Sequence, residues 1–225
     1  VLSLVPYSIY ERAAEYSIIH REFSTYSKAK KIERPLGRRK DFFYEYIGDT
    51  IGRERDICMF EFGVYKGDSI KHFANFFTNP DSIFYGFDSF EGLPENWTAS
   101  PLKKGHFTVD GALPDIKDNR INFIAGYFQD TFPDFLDKFD HEEKTLFIHF
   151  DADLYSSTLF LLCTLWQSVD EYYASFDQFP QQEASALYSF SRAFPSNIEF
   201  IGYDSSSRNK LYPGRVFAKI INKKK

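Results

Sequence analysis

The stretch DICMFEFGVYKGDSIKHFANFF, residues 56–77, decides how this chain is read. The run DICMFEF is short and apolar enough for a strand buried on both faces, and Glu61 stands near its end. Gly63 and Gly67 follow four apart, Ser69 opens the next segment, and IKHFANFF has the periodicity of a helix. A strand, a glycine turn and a helix form the repeating unit of a parallel α/β sheet. Side-chain-free positions let the backbone approach a ligand closely, and the helix start turns its N–H groups toward the same place.

Downstream the rhythm repeats. SIFYGFD ends at Asp88, INFIAG at Gly126, TLFIHFD at Asp151 and YYASFD at Asp177, and each reads as a strand. YFQDTFPDFLDKF is helical in its later part, SSTLFLLCTLWQSVDEY is a helix, and FPQQEASALYSFSRAF is another with Pro180 in its first turn. NIEFIGYD and RVFAKII, joined by the polar stretch SSSRNKLYPG, read as a hairpin. Upstream, YSIYERAAEYSIIHREF and RRKDFFYEYIGDTIG read as helices. The expected fold is therefore α/β: a doubly wound, mostly parallel seven-stranded sheet with a C-terminal antiparallel hairpin and extra N-terminal helices. Residues 1–55 form a helical extension in this reading and 56–225 the ligand-binding domain.

Composition narrows the partners. A net charge of −5 gives no electrostatic basis for nucleic acid as the main partner. No apolar run reaches the length of a membrane span and no signal peptide is recognisable, so no membrane partner is expected. Cys58 and Cys163 sit inside apolar runs, which suits reduced thiols and a cytoplasmic setting. The chain carries 26 Phe and 15 Tyr, enough to fill a core and also to line an apolar pocket. The basic cluster Lys28, Lys30, Lys31, Arg34, Arg38, Arg39 and Lys40 reads as a solvated surface or a dimer edge, with contact to an anionic substrate as a further reading. The amphipathic N-terminal helices point to a homodimer.

Ligands of doubly wound sheets bind outside the carboxyl ends of the strands. Glu61, Asp88, Asp151 and Asp177 all stand at such ends, so the four carboxylates are expected on one rim. Neither the P-loop pattern nor G-x-G-x-x-G is present, and Lys66 precedes its glycine. Glu61 favours a cationic ligand, and Asp88 one strand over is placed to accept hydrogen bonds from a ribose diol. The long segment SFEGLPENWTASPLKKGHFTVDGALPD leaves the rim beside Asp88 and carries Trp97 and His106; its length suits a substrate lid. His149 alternates into the sheet and reads as a buried structural histidine.

The segment FEFGVYKGDS resembles motif I of class I S-adenosylmethionine-dependent methyltransferases, including the catechol O-methyltransferase type. In order, EFGVYKGDS, FYGFDSFEGLPENW, KGHF, GYFQDTFPDFL and FIHFDADLYSST resemble the macrocin O-methyltransferase (TylF) family, across about residues 56–190. The resemblance implies methyl transfer from S-adenosylmethionine to a hydroxyl of a small-molecule acceptor such as a natural-product sugar. It implies that Glu61, Gly63, Val64, Tyr65, Gly67 and Ser69 frame the methionine end of the cofactor, and that Asp88 holds the ribose with Ser89 and Phe90 beside it. Gly126, Tyr127, Phe128 and Gln129 would flank the adenine. Asp151 would bind Mg²⁺ with Asp177 and Gln178 and lie near the transferred methyl. Apart from the resemblance, attack by a hydroxyl needs a base, for which Asp151 is the first candidate and His106, an imidazole, the second. Gln178 departs from the family's acidic pair, which leaves the metal one negative charge fewer. Two rivals stand beside this reading: a glycosyltransferase using Asp151-Ala152-Asp153 as a D-x-D site, and a cofactor-binding protein without activity.

Overall fold

A computed structural model describes residues 9–10, 13–14, 17–18, 21, 28–33, 41–98, 100–140, 143–204 and 213–223. The helix expected over 7–23 is described at seven positions, all helical, and the stretch 205–212 of the expected hairpin turn lies outside the described residues. The elements are β1 (Lys30–Ile32), α1 (Asp41–Ile51), β2 (Ile57–Phe62), α2 (Asp68–Phe76), β3 (Ile83–Asp88), β4 (Ile121–Ala125) and α3 (Phe128–Leu136). Then follow β5 (Thr145–Phe150), α4 (Tyr155–Ser168), β6 (Glu171–Phe176), a π-helical turn (Phe179–Glu183), α5 (Ala184–Ala193), β7 (Ser196–Asp204) and β8 (Val216–Asn222).

Among the described residues the sheet has eight strands in the order β1-β7-β8-β6-β5-β2-β3-β4, and only β8 runs against the rest. The strand beyond the expected seven is β1, whose three residues KKI pair in parallel with Gly202, Tyr203 and Asp204 at the edge. Two lysines in three residues give no apolar period, so this strand is specified by its partner. Lys31 pairs with Glu33 at 2.6 Å, which places this part of the basic cluster on an exposed edge.

Side-chain alternation divides the core into two layers. Cys58, Phe60 and Phe62 of β2 point to the face covered by α3, α4 and α5, where Phe87, Phe132, Leu161 and Leu187 complete the packing. Ile57 and Met59 point to the other face, under α1 and α2, with Phe43, Ile47, Phe73, Phe147 and Phe217. All six residues of β2 are buried, as expected of a central parallel strand covered on both sides. A third, small cluster of Leu93, Trp97 and Leu154 anchors the long segment after β3 to the start of α4. Among the described residues no helix is long and apolar enough to cross a membrane.

Candidate active site

From β2 the sheet grows through β3 and β4 on one side and through β5 and β6 on the other, so the order reverses between β2 and β5. A cleft of about 240 Å³ opens there, at the carboxyl ends of the strands. Backbone hydrogen bonds hold the strand exits level: Gly63 donates to Phe87 O at 3.0 Å, Gly126 to Asp88 O at 2.9 Å and Asp151 to Phe62 O at 2.9 Å. Gly63, Tyr65, Asp88, Ser89, Gly126, Tyr127, Phe128, Gln129, Asp151 and Gln178 all line this cleft. Gly63 has φ +92°, and a Cβ there would stand 2.1 Å from the carbonyl oxygen of Asp151, so the glycine turn and the β5 exit meet through bare backbone.

Asp88 organises the turn. Its Oδ2 accepts the N–H groups of Val64 and Tyr65, both at 2.8 Å, and its Oδ1 accepts that of Phe90 at 2.8 Å. A carboxylate offers about four acceptor positions, so roughly one is left for a ligand hydroxyl. Val64 and Phe90 are buried beneath the turn rather than in the cleft wall. The turn at Gly67 packs on Pro114 and Ile116 of the long segment. Strained backbone gathers here: Tyr65, Phe107 and Asp153 have φ of 52°, 65° and 61°, and all three line the cleft. Such conformations cluster where function needs fixed geometry.

Of the four carboxylates expected on one rim, Asp88 and Asp151 line the cleft, whereas Glu61 and Asp177 do not. Glu61 shares the parity of Ile57 and Met59, so its side chain lies fully buried on the α1/α2 face. Ser69 Oγ donates to its Oε1 at 3.0 Å, and its Oε2 has no hydrogen-bond partner. Burial pushes this carboxyl well above the usual range, against the opposing hydrogen bonds of Ser69 and the Ile70 N–H. The wall expected of Glu61 is made by Gly63 and Tyr65 instead. His149, opposite Glu61 in the register, is buried with Nδ1 3.2 Å from Ser175 Oγ.

Asp177 is turned into the hairpin. Its Oδ1 accepts Arg215 Nε at 2.8 Å and Tyr44 OH at 3.0 Å, while Arg215 Nη1 reaches Asp204 Oδ2 at 2.9 Å. Burial, reinforced by the charge of Asp177, pushes the Tyr44 phenol well up and keeps it a donor. In the set Asp151, Asp177 and Gln178, Oδ1 of Asp177 is already taken by a guanidinium and a phenol, an arrangement that does not suit a divalent ion. Among the described residues no three His, Cys, Asp or Glu are grouped to hold a metal. His106 is exposed and meets Phe107 edge to face, and it is Phe107 that lines the cleft.

Two features escaped sequence reasoning, and a third was read there only in a rival scheme. Glu183 closes the π-helical turn, fully buried, with Oε2 accepting Gln178 N–H at 3.0 Å and Oε1 without a hydrogen-bond partner. Burial first, then the charges of Asp151, Asp177 and Asp153, push its carboxyl well up. A lone Glu inside a helical pattern gave no signal, although π-turns are frequent at functional sites. Asp153, read in the sequence only as the second acid of the D-x-D triplet, lines the cleft beside Asp151. The long segment is latched over the far end: Gln182 Nε2 donates to Thr98 Oγ1, and Ser156 Oγ donates to Glu95 Oε1 at 2.5 Å.

No protein-family model and no curated protein matches the sequence. Solved structures do resemble it. An O-methyltransferase from Bacillus cereus in complex with SAH matches with a TM-score of 0.50 at 12% identity, over 92% of this chain and 91% of that one. The O-methyltransferase NovP matches at 0.47 and 20%, over 81% and 76%. CalS11, a TDP-rhamnose 3′-O-methyltransferase of calicheamicin biosynthesis, matches at 0.49 and 19%, over 80% of both chains. At these identities the likeness is one of fold, and it rests on the first of the three.

Proposed function

We infer that the cleft at the topological switch point of this Rossmann-like fold, which the chain shares with that methyltransferase, is the functional site. From this premise we propose that the cleft binds S-adenosylmethionine and that the protein moves its methyl group to a hydroxyl of a sugar or related natural-product acceptor. The carrying observation is the meeting of Gly63, Asp88, Gly126 and Asp151 around one cleft at the ends of β2 to β5. Asp88 offers its remaining acceptor position to a ribose hydroxyl, Tyr127 and Phe128 supply rings for the adenine, and the bare backbone at Gly63 admits the methionine end. The acceptor class follows the resemblance of residues 56–190.

The reaction is an in-line displacement. The acceptor oxygen forms a bond to the methyl carbon, the carbon–sulfur bond breaks with its electron pair returning to sulfur, and S-adenosylhomocysteine leaves. The hydroxyl proton goes to Asp151, one of the carboxylates that line the cleft. Holding both reactants between the glycine turn and the latched segment supplies the orientation such a step needs.

Asp151 and Asp153 both reach the cleft, so sugar-nucleotide binding is the second reading. Titration calorimetry with S-adenosylmethionine, S-adenosylhomocysteine and a panel of sugar nucleotides separates the two. Binding of both adenosyl compounds is expected, followed by methyl gain on a hydroxylated acceptor in mass spectrometry. Binding of sugar nucleotides alone overturns the proposal.

A further inference from the structure

The rim is crowded with acids. Asp151, Asp153 and Asp177 all lie within electrostatic reach of Glu183, and Asp204 stands behind Asp177 across Arg215. Buried carboxylates this close require compensation, by proton uptake or by a cation. The resemblance assigns that part to Mg²⁺. The structure places a guanidinium there: the side chains of Arg215, Asp177 and Asp204 are 9%, 2% and 0% exposed, and Arg215 bridges both acids. Tyr44 adds its hydroxyl to Asp177, and its ring lies 5.9 Å from the guanidinium carbon. Arginine keeps its charge at every accessible pH, and its fixed fork suits two carboxylates at once.

We propose that Arg215 is the resident cation of the acidic rim, holding at Asp177 the place of a divalent metal, and that the chain binds no divalent ion there. Arg215 does not line the cleft; it is a positioning residue. It fixes Asp177, whose N–H donates to Phe150 O at 3.0 Å, and through the backbone it fixes Gln178, which does line the cleft. Its consequence for turnover, methyl transfer indifferent to chelators, rests on the methyltransferase reading above. Its consequence for metal binding does not.

The test is a Mn²⁺ titration followed by electron paramagnetic resonance, on the whole chain with S-adenosylhomocysteine present. Wild-type protein is expected to show no Mn²⁺ binding that Asp151→Asn removes. Arg215→Gln, with the guanidinium gone and the acids left, is expected to gain one saturable site roughly tenfold or more tighter than any in the wild type. One Mn²⁺ bound by wild type and lost in Asp151→Asn overturns the proposal. So does an Arg215→Gln protein that has the wild-type circular dichroism spectrum and still takes up no Mn²⁺. Should that variant fail to fold, the wild-type titration decides alone. Failure of the wild type to bind S-adenosylhomocysteine counts against the donor-site reading, and the same titration without it then judges Arg215.

Discussion

A methyl group on Gly63 would lie 2.1 Å from the carbonyl oxygen of Asp151, in a backbone conformation that side chains avoid. Gly63→Ala must therefore push the two loops apart. A loss of about 2–4 kcal/mol is expected in urea unfolding, with adenosyl-ligand affinity falling at least as far. Unchanged values for both would mean that the loops do not touch. Asp88→Ala strips the acceptor from three N–H groups at once and is expected to cost about 2–4 kcal/mol before any ligand is added. The experiment to run is therefore apo stability beside ligand affinity. Asp88 and Asp151 were legible because strand-end acids of a parallel sheet point to its ligand side. Glu61 was misread at this scale, although counting by twos from Ile57 and Met59 puts it on the helix-covered face. Arg215 was illegible, since its partners lie 11 and 38 residues away and meet it only through the hairpin.

At the scale of elements, strand and helix order could be read because buried parallel strands are short apolar runs punctuated by turns. The ends were harder. The helix expected to run through Tyr172 stops at Ser168, because β6 begins at Glu171 and draws Tyr172 into the sheet core. The π-helical turn was invisible, since FPQQE satisfies the pattern of an ordinary first turn. The segment after β3 was expected as a lid, and it does wall the cleft with Leu93, Pro94 and Phe107. Its anchor is Trp97, 3% exposed and packed with Leu93 and Leu154. Trp97→Ala is expected to free this segment for proteolysis between β3 and β4, measured as cleavage mapped by mass spectrometry. Adenosyl-ligand affinity should fall with it, while far-ultraviolet circular dichroism stays that of the wild type. Cleavage elsewhere, or none, would place the anchor in other residues.

Across the whole molecule, rings do much of the packing. Phe132 lies 4.8 Å from Phe62, 5.3 Å from Phe87 and 5.9 Å from Phe60, all near edge-on. Phe132→Ala leaves a void among them and is expected to cost about 3–5 kcal/mol in urea unfolding. Global stability also depends on pH through the buried acids. Glu61 has its folded pKa raised, so the folded state holds a proton that the unfolded chain releases above its ordinary carboxylate pKa. Its contribution is greatest below that pKa and falls as pH rises, by up to about 1.4 kcal/mol per unit. Glu61→Gln removes this slope, so the variant should gain on wild type between about pH 5 and pH 8 in urea midpoints. A constant difference between the two proteins would mean that Glu61 is ionised when folded.

The position of β8 bears on how such a molecule comes into being. Among the described strands it comes last in the sequence, yet it is inserted between β6 and β7. Until β8 is made, β6 and β7 lack the strand that joins them, with one backbone edge of β6 unpaired and Asp177 without its guanidinium. Vectorial synthesis thus leaves an open template for wrong pairing until β8 slides home.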